Sequence, residues 1–326
     1  MQANPVIVKE LRGRMRGWRS VVILVVYLLV LSLVTWLTFL AVGSYSSNSY
    51  YGGQSAQVGK TIFGVLVGFQ TIMVALLTPA FTAGAITSER EQKTYDLLMT
   101  TLLPARSVIF GKLGAALAWV ALLILAVAPL QSLSFMFGGV SPEEVILSQV
   151  VLLVAALLFA SIGIFWSTMV KSSVASNVLT YGTILFQLLI MPFLYFMFVT
   201  IFSNNYGGTG SSIQDHASFW YTSGVVLSVH PFIAMALSEA FYLQGQSLWI
   251  YTTTDIWNGH SLFVISPWLL FCIEALWISA FLIVVSIRRV RPIKYRRTEE
   301  AFPYPGTEEP SEEGNLSPGP DVSKVE

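Results

Sequence analysis

The stretch that decides the fold is VVILVVYLLVLSLVTWLTFLAV, residues 21–42, which contains no Lys, Arg, Asp or Glu. A helix needs about 20 apolar residues to cross roughly 30 Å of hydrocarbon, so this stretch is long enough to span a bilayer. It follows Arg19, as the apolar region of a signal peptide follows basic residues, but it is longer than such a region and no convincing cleavage site comes after it. We therefore expect a retained transmembrane helix.

Similar apolar runs recur along the chain and predict five further spans. Four of them carry no charged residue, and the last carries only Glu274. In order, these runs are 61–83, 113–137, 145–170, 174–202 and 267–287. Charged residues make up 11% of the 326 residues, about half the fraction in soluble domains, and apolar residues make up 54%. The sequence therefore predicts an all-α, polytopic integral membrane protein with six transmembrane helices.

The basic residues give this predicted bundle an orientation, because cytoplasmic loops carry an excess of Lys and Arg. With six spans, Lys60 is the only lysine or arginine on one side of the membrane. The other side receives Lys9, Arg12, Arg14, Arg16, Arg19, Arg90, Lys93, Arg106, Lys112, Lys171, Arg288, Arg289, Arg291, Lys294, Arg296, Arg297 and Lys324. We therefore expect both termini in the cytoplasm.

The segment 203–261 is then expected to be extracytoplasmic, and its apolar stretch 219–243 allows two interpretations. A seventh span there would move the C-terminal basic cluster outside, against the charge rule, and the stretch contains His230, Pro231 and Glu239. The alternative is a re-entrant or interfacial helix pair, in which irregular backbone is covered by protein or water. We prefer the helix pair.

The two ends of the chain differ from the membrane domain, residues 1–298. In residues 1–20, Asn4 and Pro5 suit a helix start, and the pattern that follows predicts an amphipathic helix at the lipid headgroups. Its apolar face would carry Ile7, Leu11, Met15 and Trp18. A basic cluster that only sets topology is an equal alternative. Residues 299–326 carry eight acidic residues and one Lys, which predicts a disordered acidic cytoplasmic tail.

A helix is also predicted at 88–104, between the second and third spans. Ser88 and Glu91 have the spacing of a capping box, and Pro104 would end the helix. Its charged residues, which include Glu89, Arg90, Lys93 and Asp96, would face water or a partner. The spacing alone allows a solvated linker helix equally well.

Patterns for catalysis or metal binding are absent from the sequence. Cys272 is the single cysteine, and no two histidines have the spacing of a zinc protease. The triplet Gly59-Lys60-Thr61 resembles the end of a phosphate-binding loop, but the first glycine that such a loop requires falls at Gln54. We therefore expect no enzyme activity, metal or cofactor in this chain. A net charge of zero gives no reason to expect nucleic acid as a partner.

Two features lie inside the predicted spans. Glu274 is an ionisable group in a span, where a charge costs at least about 2.5 kcal/mol. It either faces a translocation path or a subunit interface, or it is a neutral carboxyl bonded to a neighbouring helix. Gly64 and Gly68 form a small-xxx-small pair that would allow a close helix approach.

The loop after the second span carries a family resemblance. Ile86-Thr-Ser-Glu-Arg-Glu-x-x-Thr-x-Asp-Leu-Leu, then Thr101-Leu-Leu-Pro and Val108-Ile-x-Gly-Lys, resembles permease subunits of ATP-binding-cassette transporters of the second exporter type. The opening Asn4-Pro-Val-Ile-Val-Lys-Glu-Leu-Arg-x-Arg-Met-Arg is similar to the start of bacterial members. The resemblance covers essentially the whole chain.

This resemblance implies a permease that pairs with a second permease, identical or not, and with separate ATPase subunits that hold ATP and Mg. It implies a coupling element seated on the ATPase at Glu89, Arg90, Glu91, Thr94, Asp96 and Leu97. The N-terminal helix would brace that element, and 219–243 would form the gate region. The implied location is the bacterial inner membrane, and the implied direction is export.

Two other classes of function stay open on the residues alone. A secondary transporter or channel usually needs several ionisable groups within the membrane, and Glu274 is the only one in the predicted spans. A membrane-embedded enzyme would need a catalytic constellation that the sequence does not show. The substrate follows from neither the residues nor the resemblance.

Overall fold

The computed structural model describes residues 10–13, 17–46, 54–94, 104–206, 217–243, 249–254 and 261–290, which all belong to the compact unit Met1–Pro292. Six helical segments in these residues are long and apolar enough to cross a membrane. They are Ser20–Val42, Ala56–Glu91, Ala105–Phe137, Pro142–Met169, Ser173–Ile201 and Pro267–Arg289. The predicted all-α polytopic membrane fold is confirmed.

The first half of the chain supplies four of these spans and one short helix. The helices are α1 (Trp18–Ser46), α2 (Gln54–Thr82), α3 (Thr87–Glu91), α4 (Ala105–Ala126), α5 (Ala128–Phe137) and α6 (Pro142–Met169). Together α4 and α5 form the third span, which is interrupted at Val127 just before Pro129. A proline removes one backbone hydrogen bond from a helix, which accounts for the interruption.

The second half contains two spans with a more varied segment between them. The fifth span consists of α7 (Ser173–Leu185), a π-helical turn (Phe186–Ile190) and α8 (Met191–Tyr206). Then follow α9 (Ala217–Ser228), α10 (Pro231–Leu243), β1 (Ile250–Thr254), β2 (Ser261–Ile265) and α11 (Pro267–Arg289).

The stretch 219–243 forms two short helices and not a seventh span. Helix α9 has 12 residues and α10 has 13, so each is about 18–20 Å long at 1.5 Å per residue, too short for the hydrocarbon layer. The break lies at Val229 and His230, directly before Pro231. The preferred helix pair agrees with this arrangement, and its re-entrant position in the membrane stays a prediction.

The two strands were not expected from the sequence. β1 and β2 pair antiparallel, with Ile250 opposite Ile265 and Thr254 opposite Ser261. Tyr221, on α9, donates a hydrogen bond to the carbonyl of Phe263 at 3.4 Å. The hairpin lies between α10 and α11 in the chain and contacts α9.

Helix α6 forms the centre of the described bundle and packs mainly on α11 and α2. Its interior face carries small residues, Ala155, Ala156, Ala160 and Gly163, which let neighbouring helices approach closely. A Cβ atom added at Gly163 would lie 2.9 Å from the Cβ of Thr82 and 3.1 Å from the backbone nitrogen of Ala83. The close approach of α6 to the end of α2 therefore depends on this glycine.

The structure gives Gly64 and Gly68 different surroundings, and their role in helix packing stays a prediction. A Cβ added at Gly64 would meet nothing within 4 Å, and one added at Gly68 would meet the ring of Phe232 at 2.8 Å. Both glycines line a cavity, and Gly68 also faces Phe232 of α10 at a distance that leaves no room for a side chain.

Several predicted segments lie partly or wholly outside the described residues. They are residues 1–9 and 14–16 of the interfacial helix, 95–103 of the coupling helix, 207–216, 244–248 and 255–260 of the extracytoplasmic segment, and the tail 299–326. Residues 10–13 form a helical turn, and the N-terminal interfacial helix stays a prediction.

Candidate coupling site

The short helix α3 begins differently from the prediction. Ser88 does not cap it: its hydroxyl donates to the Gly84 carbonyl at 2.6 Å, and the N-cap is Ile86, which has a helical backbone. The hydroxyl of Ser167 on α6 instead accepts from the backbone N–H groups of Ile86, at 2.8 Å, and Thr87, at 3.2 Å. A side chain 81 residues away thus satisfies the free donors at the start of α3, so the predicted capping box is wrong.

The end of α3 also differs from the prediction. The helix ends at Glu91, and Lys93 has a φ of 57°, in the left-handed region. The N–H of Lys93 donates to Arg90 and that of Thr94 to Glu89, at 3.1 and 2.9 Å, which together make a Schellman motif. Glycine usually holds this position, and its absence explains why the sequence suggested a helix that continues to Pro104.

Lys112 ties α3 to α4 and to the N-terminal segment. Its side chain is 7% exposed, and its Nζ lies 2.7 Å from Oε1 of Glu89 and 3.3 Å from Oε1 of Glu10. The two carboxylates come from positions 23 and 102 residues away in the chain. One buried ammonium therefore joins three parts of the molecule.

Arg90 and Glu91 bind the adjoining ends of two spans. Arg90 donates to the carbonyls of Thr168, at 3.3 Å, and Val170, at 3.1 Å, where α6 ends. The Glu91 carboxylate accepts from the backbone N–H and the hydroxyl of Ser173, both at 2.7 Å, where α7 begins. Each charge has the sign that stabilises the helix end it meets, positive at a C-terminus and negative at an N-terminus.

The six residues predicted to contact an ATPase therefore fall into separate groups. Glu89, Arg90 and Glu91 bond within the chain, and the hydroxyl of Thr94 donates to the Glu89 carbonyl at 3.3 Å. This corrects the expectation that the charges of this helix face only water or a partner. Asp96 and Leu97 lie outside the described residues. Gln92 and Lys93 form the exposed tip of α3.

Glu274 bonds to a neighbouring helix. Its Oε2 accepts from the hydroxyl of Ser228, at the end of α9, at 3.0 Å. This contact fits the structural alternative for Glu274, and a role in transport stays a prediction.

A ladder of buried glutamines was missed by the sequence reasoning. The amide of Gln149 donates to Gln131 at 2.6 Å, Gln131 to Gln70 at 3.1 Å, and Gln70 to the carbonyl of Ile124 at 3.2 Å. Gln70 and Gln131 have no exposed surface. The ladder links α2, α4, α5 and α6, and a signal for it was available, because each glutamine interrupts an otherwise apolar run.

The sequence model of the family described as ABC-2 family transporter protein matches residues 5–290. The chain belongs to this family. It is thus a permease subunit of an ATP-binding-cassette (ABC) transporter, and members of the ABC-2 family associate with ABC ATPase subunits. No curated protein matches this permease closely enough to count as a relative.

Family membership decides between the alternatives left by the sequence. The ABC-2 permease is a multi-pass membrane component of a transporter, of a kind that is generally not catalytic, and the secondary-transporter and enzyme interpretations lose their support. Among its described residues, no group of three His, Cys, Asp or Glu side chains is placed to hold a metal ion.

Proposed function

We propose that this permease exports a substrate and that a cytoplasmic ABC ATPase drives it through α3. The observation that supports the proposal is the attachment of α3 to the ends of three helices. Glu89 joins it to α4, Arg90 to α6 and Glu91 to α7. A force applied at the exposed tip of α3 would therefore reach three spans at once.

The remaining parts of the proposal follow from the family and the charge distribution. ATP and Mg bind in the ATPase and not in this chain, and both termini lie in the cytoplasm of a bacterial cell whose inner membrane holds the permease. The N-terminal helix braces α3 through Glu10 and Lys112. A second permease, identical or not, completes the transporter.

The fifth span offers a surface for that second permease. In the most apolar stretch of Ser173–Ile201, 6% of the residues are buried, against 56% in the corresponding stretch of Pro142–Met169. The surface of this span is therefore available to a second permease or to lipid, since the rest of the described chain covers little of it.

The test of ATPase docking must spare the residues that hold α3 in place, because replacing Glu89, Arg90 and Glu91 would also remove contacts within the chain. We therefore choose Gln92→Ala combined with Lys93→Gly. Glycine accepts the left-handed backbone at position 93, so the Schellman motif is kept. We expect the double variant to express normally and to lose co-purification with its ABC ATPase, identified by mass spectrometry.

The matched control is Arg106→Ala, which removes an exposed basic residue from the start of α4, the helix to which Lys112 binds α3. It should keep the ATPase. A double variant that retains the ATPase as well as the control does would overturn the docking assignment.

A further inference from the structure

A cavity of about 360 Å³ lies between α2, α6 and α10. It is lined by the first part of α2, from Gln57 to Gly68, and by the first turns of α6, whereas α3 follows the other end of α2. At 1.5 Å per residue, the cavity and α3 lie on the order of 30 Å apart along α2. The cavity is therefore separate from the proposed coupling site, and its volume falls within the range of small-molecule pockets.

The walls of the cavity combine an apolar surface with three charged side chains. The apolar part includes Phe63, Val67, Leu147, Phe232 and Met235. The charged residues are Lys60, Glu144 and Glu239. With all three ionised, the cavity carries one net negative charge.

Glu144 lacks the partner that a buried carboxylate requires. The residue is 4% exposed, and among the described residues neither of its carboxylate oxygens has a hydrogen-bond partner. Ser141 is close to the carboxylate, and its hydroxyl accepts from the backbone N–H of Glu144 at 3.2 Å, but no hydrogen bond of ordinary geometry reaches the carboxylate oxygens. An unpaired buried charge is costly, so a cation bound beside Glu144 would stabilise it.

Lys60 acts on both carboxylates without pairing with either. It is electrostatically coupled to Glu144 and to Glu239, but no ion pair joins it to them within the described residues. Burial raises the pKa of Glu239, and the Glu144 carboxylate raises it further, while Lys60 lowers it. When both carboxyls are ionised, as beside a bound cation, one ammonium neutralises only part of their charge.

We propose that this cavity binds an amphiphilic organic cation, with its charged group beside Glu144 and Glu239 and its apolar body against the aromatic and aliphatic wall. A metal ion fits less well, because the wall is mostly apolar and the described residues hold no group of three metal-ligating side chains. An anion would meet two carboxylates for one lysine. The proposal deepens the proposed function, on which it rests, by naming a ligand class.

The test measures equilibrium binding of radiolabelled tetraphenylphosphonium to the purified full-length permease in lipid nanodiscs. The decisive variant is Glu144→Gln, because glutamine removes the charge at nearly the same volume and keeps the backbone N–H that donates to Ser141. We expect saturable binding to the wild type and an affinity about tenfold lower in Glu144→Gln, the effect of one lost ionic contact of about 1.4 kcal/mol. Glu239→Gln should weaken binding in the same direction.

Two matched controls separate the effect of charge from that of apolar contact. Glu143→Gln removes an exposed carboxylate one residue away, outside the cavity, and should leave the affinity unchanged. Tetraphenylborate has the same shape as the probe and the opposite charge, so it should not compete. Three results would each overturn the proposal. The wild type could show no saturable binding, Glu144→Gln and Glu143→Gln could bind with equal affinity, or tetraphenylborate could compete as well as unlabelled tetraphenylphosphonium.

The same preparations distinguish this proposal from the proposed function. Binding of the probe needs no ATPase, whereas co-purification with the ATPase needs no probe. A permease that retains its ATPase but does not bind the cation refutes only the cavity assignment. A permease that binds the cation but never associates with an ATPase refutes the coupling assignment.

Discussion

Lys112 shows how one residue can hold the coupling site together. Its ammonium is almost fully buried between the carboxylates of Glu10 and Glu89, which are themselves about three-quarters buried. Replacing the lysine would leave two carboxylates without their cation in a poorly solvated place. Removing one partner of a buried ion pair is strongly destabilising, because the remaining charge stays uncompensated.

We therefore predict that Lys112→Met destabilises the permease by about 3 kcal/mol. The measurement is thermal unfolding of the purified chain in detergent, where the midpoint should fall by several degrees. The control is Lys171→Met, which replaces an exposed lysine in the turn between α6 and α7 and should leave the midpoint nearly unchanged. Equal midpoints for the two variants would contradict the structural role of Lys112.

At this scale the sequence indicated which residues matter but not what they contact. The motif at 86–98 directed attention to Glu89, Arg90 and Glu91, and all three lie in the short helix. Their partners Lys112, Thr168 and Ser173 are 23 to 82 residues away, and a motif contains no information on which distant group fills a given hydrogen-bonding site. We expected these charged residues to be exposed, but they form contacts with distant parts of the chain.

At the scale of elements, the contact between α2 and α6 depends on Gly163, because glycine has no side chain. A methyl group there would meet the side chain of Thr82 and the backbone of Ala83 at distances shorter than van der Waals contact. Thr82 is fully buried, so it has little room to move away. Gly182 on α7 gives the opposite case, because an added Cβ would meet nothing within 4 Å.

We predict that Gly163→Ala destabilises the bundle by about 1–3 kcal/mol, the usual range for overpacking. Gly182→Ala should be neutral or slightly stabilising, because alanine favours the helix by up to about 1 kcal/mol over glycine. Both variants can be compared by the fraction of folded protein after detergent extraction at increasing temperature. A Gly163→Ala variant as stable as Gly182→Ala would show that α2 and α6 can separate at little cost.

The spans were predictable, and the shorter elements were not, for a physical reason. A bilayer demands about 20 apolar residues and satisfied backbone hydrogen bonds, so each span leaves a clear pattern in the sequence. The end of α3 leaves no such pattern, because it depends on Lys93, a left-handed residue that is not glycine. The hairpin was not predicted either, although Tyr251 and the threonines that follow it favour strands.

At the scale of the whole molecule, the positions of the lysines and arginines imply that α3 lies on the cytoplasmic side and that the start of α6 lies outside. We predict that a cysteine placed at Gln92 reacts with a membrane-impermeant maleimide only after cells are permeabilised. A cysteine placed at Glu143 should react in intact cells. Both native side chains are exposed, and the native Cys272 is buried, so background labelling should be small.

Labelling of both positions from the same side would refute the arrangement of spans between them, because an even number of crossings would then separate α3 from α6. In the opposite result, the cysteine at position 92 reacts in intact cells and the one at position 143 only after permeabilisation. That result would keep the six spans and reverse their orientation. The wild-type chain serves as the control for labelling of Cys272.

The contacts of Arg90 and Glu91 have a consequence for exchanging parts between permeases. Arg90 donates to the carbonyls of Thr168 and Val170, and Glu91 accepts from Ser173. In the same turn, Ser167 accepts from the backbone at the start of α3. A chimaera that receives a foreign α3 to change its ATPase would lose these matched contacts unless the turn between α6 and α7 came from the same donor. The unit that can be transplanted is therefore discontinuous in the chain, a short helix together with a turn some 80 residues later.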